Sequence, residues 1–241
     1  MEQELERYSI ITEKNPREIV LLRGKGCAFR KCRFCDYHTD FSTDQSANYQ
    51  LNQSVLSKVT GQFHRLEVIN SGSYVDLDSK TMQCIKKLCV EKSITHLHFE
   101  SHWMYKDSIA ALKDEFSHLG VTVHIKIGVE TFDYLFRESY IVKGIPDVKP
   151  EEIAAYFDDV CLLQGLPGQS VVSMERDIET GLTYFDRVCI NIMVENKTLI
   201  KPDPNTIRTF VDELMPRYHD NPRVDILLHN TDFGVGGEKT C

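Results

Sequence analysis

Three cysteines that fall within nine residues are the clearest chemical feature of this sequence. Cys27, Cys32 and Cys35 form a C-x4-C-x2-C pattern, whereas the other five cysteines are dispersed. Thiolates at this spacing bind metal, and three kinds of centre fit. A plant-type ferredoxin uses the same first intervals and a further cysteine to close a two-iron cluster. A structural zinc site would be completed by His38, and a four-iron cluster on three thiolates would keep one iron open, as catalytic metal sites do.

The other cysteines bear on these alternatives. The next one along the chain, Cys84, falls within a predicted helix and makes a poor fourth ligand. An electron carrier also has little need of 241 residues, so the ferredoxin is disfavoured, while the zinc site and the open cluster remain. A chain of this length in a reducing compartment is not expected to build a disulfide framework. We interpret the dispersed cysteines as small core side chains: Cys84, Cys89, Cys161, Cys189 and the terminal Cys241.

Composition limits the partners of the chain. Of its 241 residues, 41% are hydrophobic and 27% charged, which is enough to bury a sizeable core. Lys and Arg total 28 against 36 Asp and Glu, and the formal charge is -8. This balance argues against nucleic acid, because phosphate backbones are bound by clustered basic residues. The acidic start lacks a secretory pattern and no apolar stretch approaches eighteen residues, so we expect a cytoplasmic protein without a membrane partner.

Short apolar runs alternate with longer segments of helical period, which is typical of βα units around a parallel sheet. The pattern predicts an α/β fold, a partial (open) βα barrel of about six to seven parallel strands, with a doubly wound sheet as the alternative. No linker or repeat interrupts it, so one domain over residues 1–241 is the simplest account. The predicted strands are 18–23, 66–70, 95–99, 122–127, 159–163, 188–193 and 224–228, and the clearest predicted helices are 79–91, 107–118, 170–185 and 205–217.

Polar or glycine-rich segments follow the first five predicted strands. In parallel α/β folds the loops at the carboxyl ends of the strands build the functional site. We therefore expect these five segments to lie around a common mouth. They are the cysteine loop, Asn70-Ser71-Gly72-Ser73, Glu100-Ser101-His102, Gly128-Val129-Glu130-Thr131 and Gln164-Gly165-Leu166-Pro167-Gly168-Gln169.

The cysteine loop after the first strand, with the aromatic Phe34 before its third cysteine, resembles the radical S-adenosylmethionine (SAM) superfamily. The usual spacing there is C-x3-C-x2-C, so this chain has one extra residue between Cys27 and Cys32. The resemblance implies a single core domain of radical SAM type. It also implies a 4Fe-4S cluster on Cys27, Cys32 and Cys35, with SAM on the open iron and an electron donor such as flavodoxin or ferredoxin.

The same resemblance implies roles for the strand-end loops. Asn70-Ser71-Gly72-Ser73 stands where the superfamily has the glycine-rich motif that holds the methionine amino group. Glu130 resembles the carboxylate that faces the ribose hydroxyls, although taken alone it also fits a helix N-terminal acid. The expected SAM contacts are Phe34, Tyr37, Asn70, Ser71, Gly72, Ser73, Glu100, Ser101, Glu130, Gln164, Leu166 and Asn191.

The resemblance implies that SAM is cleaved reductively to a 5'-deoxyadenosyl radical. This radical then removes a hydrogen atom from a bound substrate. The Cys35-Asp36-Tyr37-His38 context and the Asn-Ser-Gly-Ser motif resemble the queuine lyase group. That group cleaves the C-N bond between a cyclopentenediol and 7-aminomethyl-7-deazaguanine, so a small 7-deazaguanine base is the expected substrate. Two alternatives stay open: a radical SAM enzyme acting on a tRNA-borne base, and a non-catalytic zinc-stapled binding module. The candidate substrate contacts are Asp36, His38, Asp40, His102, Asn196, His229, Asn230 and Asp232.

Overall fold

The computed structural model describes residues 5–36 and 39–228, and these residues contain eight strands. All seven predicted strands are present, and one further strand precedes them, whose 4 residues are too few to show a period. The strands are β1 (Tyr8–Ile11), β2 (Arg17–Leu22), β3 (Arg65–Asn70), β4 (His96–Glu100), β5 (Thr122–Glu130), β6 (Asp159–Gln164), β7 (Arg187–Ile192) and β8 (Val224–Leu227).

The helices follow the strands, as βα units require. All four predicted helices are present, but the one expected at 205–217 is interrupted by a π-helical turn, Phe210–Leu214. Two helices were not predicted, namely the first and the short fourth. The α-helices are α1 (Gln45–Leu56), α2 (Ser79–Glu91), α3 (Ile109–Ser117), α4 (Pro150–Ala154), α5 (Val171–Tyr184), α6 (Pro204–Thr209) and α7 (Met215–Tyr218). No helix among the described residues has both the length and the apolar character to cross a membrane.

The chain divides into two compact units. The first comprises Met1–Ala28 and Tyr37–Ile125, and the second comprises Phe29–Asp36 and Lys126–Cys241. In the first unit β1 pairs antiparallel with β2, and β2, β3 and β4 pair in parallel. In the second, β5, β6, β7 and β8 pair in parallel. This division does not test the expectation of a single domain, which stays a prediction.

In the second unit the two faces of the sheet differ in chemistry. Helix α5 packs on one face, where a Cβ at Gly181 would lie 2.8 Å from Val188 and 3.3 Å from Val160. Because successive residues of a strand point to opposite faces, the neighbouring positions face the other way. Those positions include the polar residues Asp159, Arg187 and Asn191, together with Cys161, Cys189 and Leu163, which pack in apolar clusters. We call this side, opposite the helix-covered face, the polar face of the sheet.

Candidate active site

In the first unit the cysteine loop is joined to the segment that follows β3. The backbone N–H of Cys27 donates to the carbonyl oxygen of Ser71 at 3.0 Å, and that of Lys25 donates to the carbonyl of Asp76 at 3.0 Å. Gly26 has φ +87°, which a side chain would strain. These contacts place the first cysteine directly beside the Asn70-Ser71-Gly72-Ser73 turn.

That turn is built around a buried carboxylate. The Oδ2 atom of Asp76 accepts the backbone N–H of Ser73 at 2.8 Å, and a Cβ at Gly72 would lie only 2.4 Å from the same oxygen. Asn70 donates its amide to the carbonyl of Ser73, while its buried Oδ1 atom has no hydrogen-bond partner among the described residues. The sequence analysis missed Asp76, although the Ser-x-x-Asp spacing is a known signal for a helix start.

The loop after β4 meets the same turn. The backbone N–H of His102 donates to the hydroxyl of Ser73 at 2.9 Å, and its ring Nδ1 accepts the N–H of Met104. Ser101 is buried and Glu100 is half-buried at the strand end. Burial raises the pKa of Tyr105, and the negative charges of Asp76 and Cys27 add to that rise, which places this phenol near the first cysteine.

In the second unit the segment that carries the other two cysteines is held by three neighbours. The N–H of Arg33 donates to the carbonyl of Ile141 at 3.0 Å, and the side-chain amide of Asn196 donates to the carbonyl of Phe34 at 2.7 Å. The ring of Phe29 fills the space beside Gly144, where a Cβ would lie 2.3 Å from the ring. Arg30 adopts a left-handed conformation with φ +49° within the four residues that separate Cys27 from Cys32.

Glu130 ends β5 and pairs with a lysine that the sequence analysis did not single out. Lys143 donates from Nζ to Oε1 of Glu130 at 2.7 Å, and both side chains are largely buried. Lys143 lies 13 residues downstream in an irregular segment, so no sequence periodicity links it to Glu130. Burial lowers the pKa of Lys143, but the carboxylate of Glu130 and the thiolates of Cys32 and Cys35 raise it by more.

The remaining expected SAM contacts of the second unit differ in their surroundings. Gln164 is fully buried, and neither polar atom of its side chain has a hydrogen-bond partner in the described part of the chain. Leu166 belongs to an apolar cluster with Ile141 and Met193, against which Phe34 packs. Asn191 is half-buried on the polar face of β7.

The expected substrate contacts that the structure describes form hydrogen bonds within the protein. Both carboxylate oxygens of Asp40 bond to Arg7, at 2.9 and 3.0 Å. Asp36 accepts the N–H of Lys197, and the carbonyl oxygen of the Asn196 side chain accepts from Thr198. The structure thus gives Asn196 a loop-holding role that the sequence did not suggest. The expected contacts Tyr37, His38, His229, Asn230 and Asp232 lie outside the described residues.

The donor set fits an iron-sulfur cluster and a polar organic ligand. No disulfide joins the seven cysteines of the described residues, and the three in the triplet are half-buried rather than fully packed in the core. Soft thiolates are the ligands that iron-sulfur clusters take. A buried amide without a hydrogen bond is costly, so Asn70 Oδ1 and the amide of Gln164 are suited to a ligand that supplies the missing bonds.

Two solved structures share the fold of this chain. Over 86% of this chain, SuiB of Streptococcus suis bound to S-adenosylmethionine superposes with a TM-score of 0.53 at 13% identity, covering 49% of that chain. Methylornithine synthase (PylB) gives 0.52 at 12% identity, over 86% of this chain and 63% of that chain. These two matches show that the chain shares the fold of both proteins.

A third match is much closer in sequence. Queuine lyase from Clostridium spiroforme, bound to SAM and queuine, has a TM-score of 0.91 and 43% identity over 97% of this chain and 100% of that chain. The chain belongs to the queuine lyase family. This confirms the predicted partial βα barrel of radical SAM type. No protein-family model and no curated protein sequence matches the chain.

Proposed function

We propose that this protein is a queuine lyase, which cleaves the C-N bond of queuine and releases 7-aminomethyl-7-deazaguanine with the use of SAM. One observation carries the proposal: the 43% identity over the full length of an enzyme whose structure holds SAM and queuine. The zinc-stapled module and the enzyme acting on a tRNA-borne base are not favoured by any comparison.

Cys27, Cys32 and Cys35 are the proposed cluster ligands. A 4Fe-4S cluster on these thiolates would, when bound and reduced, supply the electron that cleaves SAM to a 5'-deoxyadenosyl radical. The chain's own part is to hold the cysteine loop in place. In each unit a hydrogen bond does this, from Cys27 to Ser71 in the first and from Asn196 to Phe34 in the second.

The SAM contacts are proposed from groups that lack partners or leave room. Asn70 Oδ1 would accept a hydrogen bond from the cofactor, and the Gln164 amide would accept one and donate another. These atoms are buried and have no hydrogen-bond partner among the described residues. Glu130 would accept from the ribose hydroxyls, with Lys143 fixing its orientation. Leu166 and Phe34, which pack in one apolar cluster, would exclude water from the reacting groups.

The substrate base calls for hydrogen-bond acceptors, because a guanine-like edge presents N–H donors. Asn191 is the described residue best placed to serve, since it lies half-buried on the polar face of the second unit. To accept hydrogen bonds from the base, Asp40 would have to give up its two hydrogen bonds from Arg7. We keep Asp36 and His102 as substrate contacts of the proposal, each at a strand-end loop.

The electron donor is proposed to be an acidic carrier of the flavodoxin or ferredoxin kind in the cytoplasm. The second-unit part of the cysteine loop is basic and exposed, with Arg30, Lys31 and Arg33 all on the surface of a chain whose formal charge is -8. Complementary charge accelerates the encounter of redox partners.

The test of the function starts from anaerobic purification with iron, sulfide and zinc analysis. The wild-type protein is expected to be brown, to yield 5'-deoxyadenosine from SAM under reduction, and to convert queuine to the aminomethyl base in mass analysis. Cys32→Ala is expected to lose the cluster, whereas Cys84→Ala, a half-buried cysteine on α2, should keep it. A colourless protein with one tetrahedral zinc would overturn the proposal, and turnover only of queuosine in tRNA would replace its substrate.

A further inference from the structure

The pair of Lys143 and Glu130 is unusual for its burial. The side chain of Lys143 is 13% exposed and that of Glu130 is 8% exposed, with 2.7 Å between Nζ and Oε1. Removing two charges from water is expensive, and replacing such pairs by apolar residues is often neutral or stabilising. Stability alone therefore gives a weak reason for a buried ion pair at this position.

The local backbone is shaped around the pair. A Cβ at Gly128 would lie 2.4 Å from Oε1 of Glu130 and 2.8 Å from Nζ of Lys143, so a side chain there would displace both charged ends. Glu130 itself has φ +69°, and the β-branched Val142, next to Lys143, has φ +56°. The pairing of β5 with β6 shifts register between Gly128 and Glu130. Strained residues of this kind concentrate at functional sites.

The ammonium group faces the cysteine segment of its own unit. Its Nζ lies 5.5 Å from the centre of the Phe34 ring, and Phe34 stands between Cys32 and Cys35 in the sequence. Burial lowers the pKa of Lys143, but the charges of Glu130, Cys32 and Cys35 raise it by more. The lysine therefore lies within electrostatic reach of the carboxylate of Glu130 and of the two cysteine sulfurs.

We propose that Lys143 is a positioning residue that stabilises the reduced cluster, with Glu130 holding its ammonium group beside Cys32 and Cys35. The inference rests on the proposed function, because it requires the cluster. Reduction adds one electron from the carrier protein and forms or breaks no bond, so the cluster becomes more negative by one charge. A fixed cation in a poorly solvated site lowers the energy of that added charge, and nearby charge is one of the levers that set cluster potentials.

The test measures the midpoint potential of the cluster by anaerobic titration with electron paramagnetic resonance detection, without SAM or queuine. Lys143→Met is expected to bind the same amount of iron as wild type. At the wild-type midpoint its ratio of reduced to oxidised cluster should fall about tenfold, which is about 59 mV for one electron. Lys143→Arg, which keeps the charge, should stay within about twofold of wild type.

Glu130→Gln separates charge from packing. It removes the opposing negative charge while keeping the shape of the side chain, so the potential should shift in the opposite direction, and Lys143→Met/Glu130→Gln should fall between the single variants. A merely structural pair would change the melting temperature in all variants and leave the potential unmoved. That result would overturn the inference.

Two further outcomes are decisive. If Lys143→Met fails to fold or to hold iron, the comparison of Glu130→Gln with wild type still decides, because no shift there contradicts the proposal. A wild-type protein without an iron-sulfur cluster would remove the proposed function itself. A wild type with a normal cluster and queuine turnover, but with unmoved variants, would remove only the role of Lys143.

Discussion

At the residue scale, two glycines serve carboxylates by leaving them space. Gly72 gives room to Asp76, and Gly128 gives room to Glu130, where in each case an added Cβ would lie 2.4 Å from a carboxylate oxygen. Neither glycine has the positive φ that commonly explains a glycine. Their role is to leave space for the carboxylates. Gly72 follows β3 and Gly128 lies near the end of β5, and proposed cofactor contacts lie beside both.

Gly72→Ala is therefore expected to displace Asp76 and the adjoining Cys27 backbone, whose nitrogen lies 3.0 Å from the added Cβ. We expect at least tenfold weaker SAM binding and reduced iron content, measured by equilibrium dialysis and iron analysis on anaerobic protein. The control is Gly120→Ala, where φ is +74° but nothing lies within 4 Å of the added Cβ. That variant should lose about 1 kcal/mol of stability with unchanged iron, since it carries only the backbone cost. Equal iron content in both variants would contradict the volume argument.

At the element scale, helix α5 fixes the turn that follows β5. Asp177 on α5 is buried, and its Oδ1 atom accepts the backbone N–H of Phe132 at 2.8 Å, two residues after Glu130. Burial raises the pKa of Asp177 to about 6, against the lowering effect of its hydrogen bonds to Phe132 and Thr131. The helix thus holds the strand end with a carboxyl group whose burial disfavours its charged form.

A pH dependence of stability follows from that raised pKa. In the folded protein Asp177 holds its proton up to about pH 6, whereas the unfolded chain releases it near 3.8. The folded state binds more protons in this window, so the contribution of Asp177 is present below about pH 4 and is lost as pH rises to about 6. The free energy of unfolding of Asp177→Asn relative to wild type should rise by about 2 kcal/mol from pH 4 to pH 7. Urea titrations at each pH measure this, and parallel pH profiles of the two proteins would contradict it.

At the scale of the whole molecule, buried charges join neighbouring strands on the polar face of the sheet. Arg187 on β7 donates to Asp159 on β6 at 3.3 Å and to Asp225 on β8 at 3.2 Å. All three side chains are at most 10% exposed. One guanidinium therefore bonds to two carboxylates across three strands, and its fixed planar geometry suits that task.

Arg187→Met should destabilise the protein by about 3 to 5 kcal/mol, because two buried carboxylates would lose the guanidinium that bonds to both. Urea unfolding monitored by circular dichroism measures the loss. Arg217, whose ion pair with Glu175 is exposed, supplies the control, and Arg217→Met should change stability by about 1 kcal/mol or less. A similar loss in both variants would show that burial of the charge is not the cause.

The sequence alone determined the strand pattern, the cysteine triplet and the family resemblance, since each depends on residue type and local spacing. Short apolar runs such as β6 and β7 are readable because parallel strands buried on both faces are apolar at most positions. The triplet is readable because its three ligands fall within nine residues. The interruption of the last long helix by Phe210–Leu214 was not readable, because its helical period continues through that turn.

Only the tertiary structure decided which side chains meet. The pairing of Lys143 with Glu130, of Arg7 with Asp40 and of Asn196 with the Phe34 carbonyl joins residues 13, 33 and 162 positions apart. No local propensity encodes such distances, because the partners are brought together by strand register and by loops without periodicity. The same holds for Gly128, whose need to be glycine follows from two charged atoms that fold back beside it.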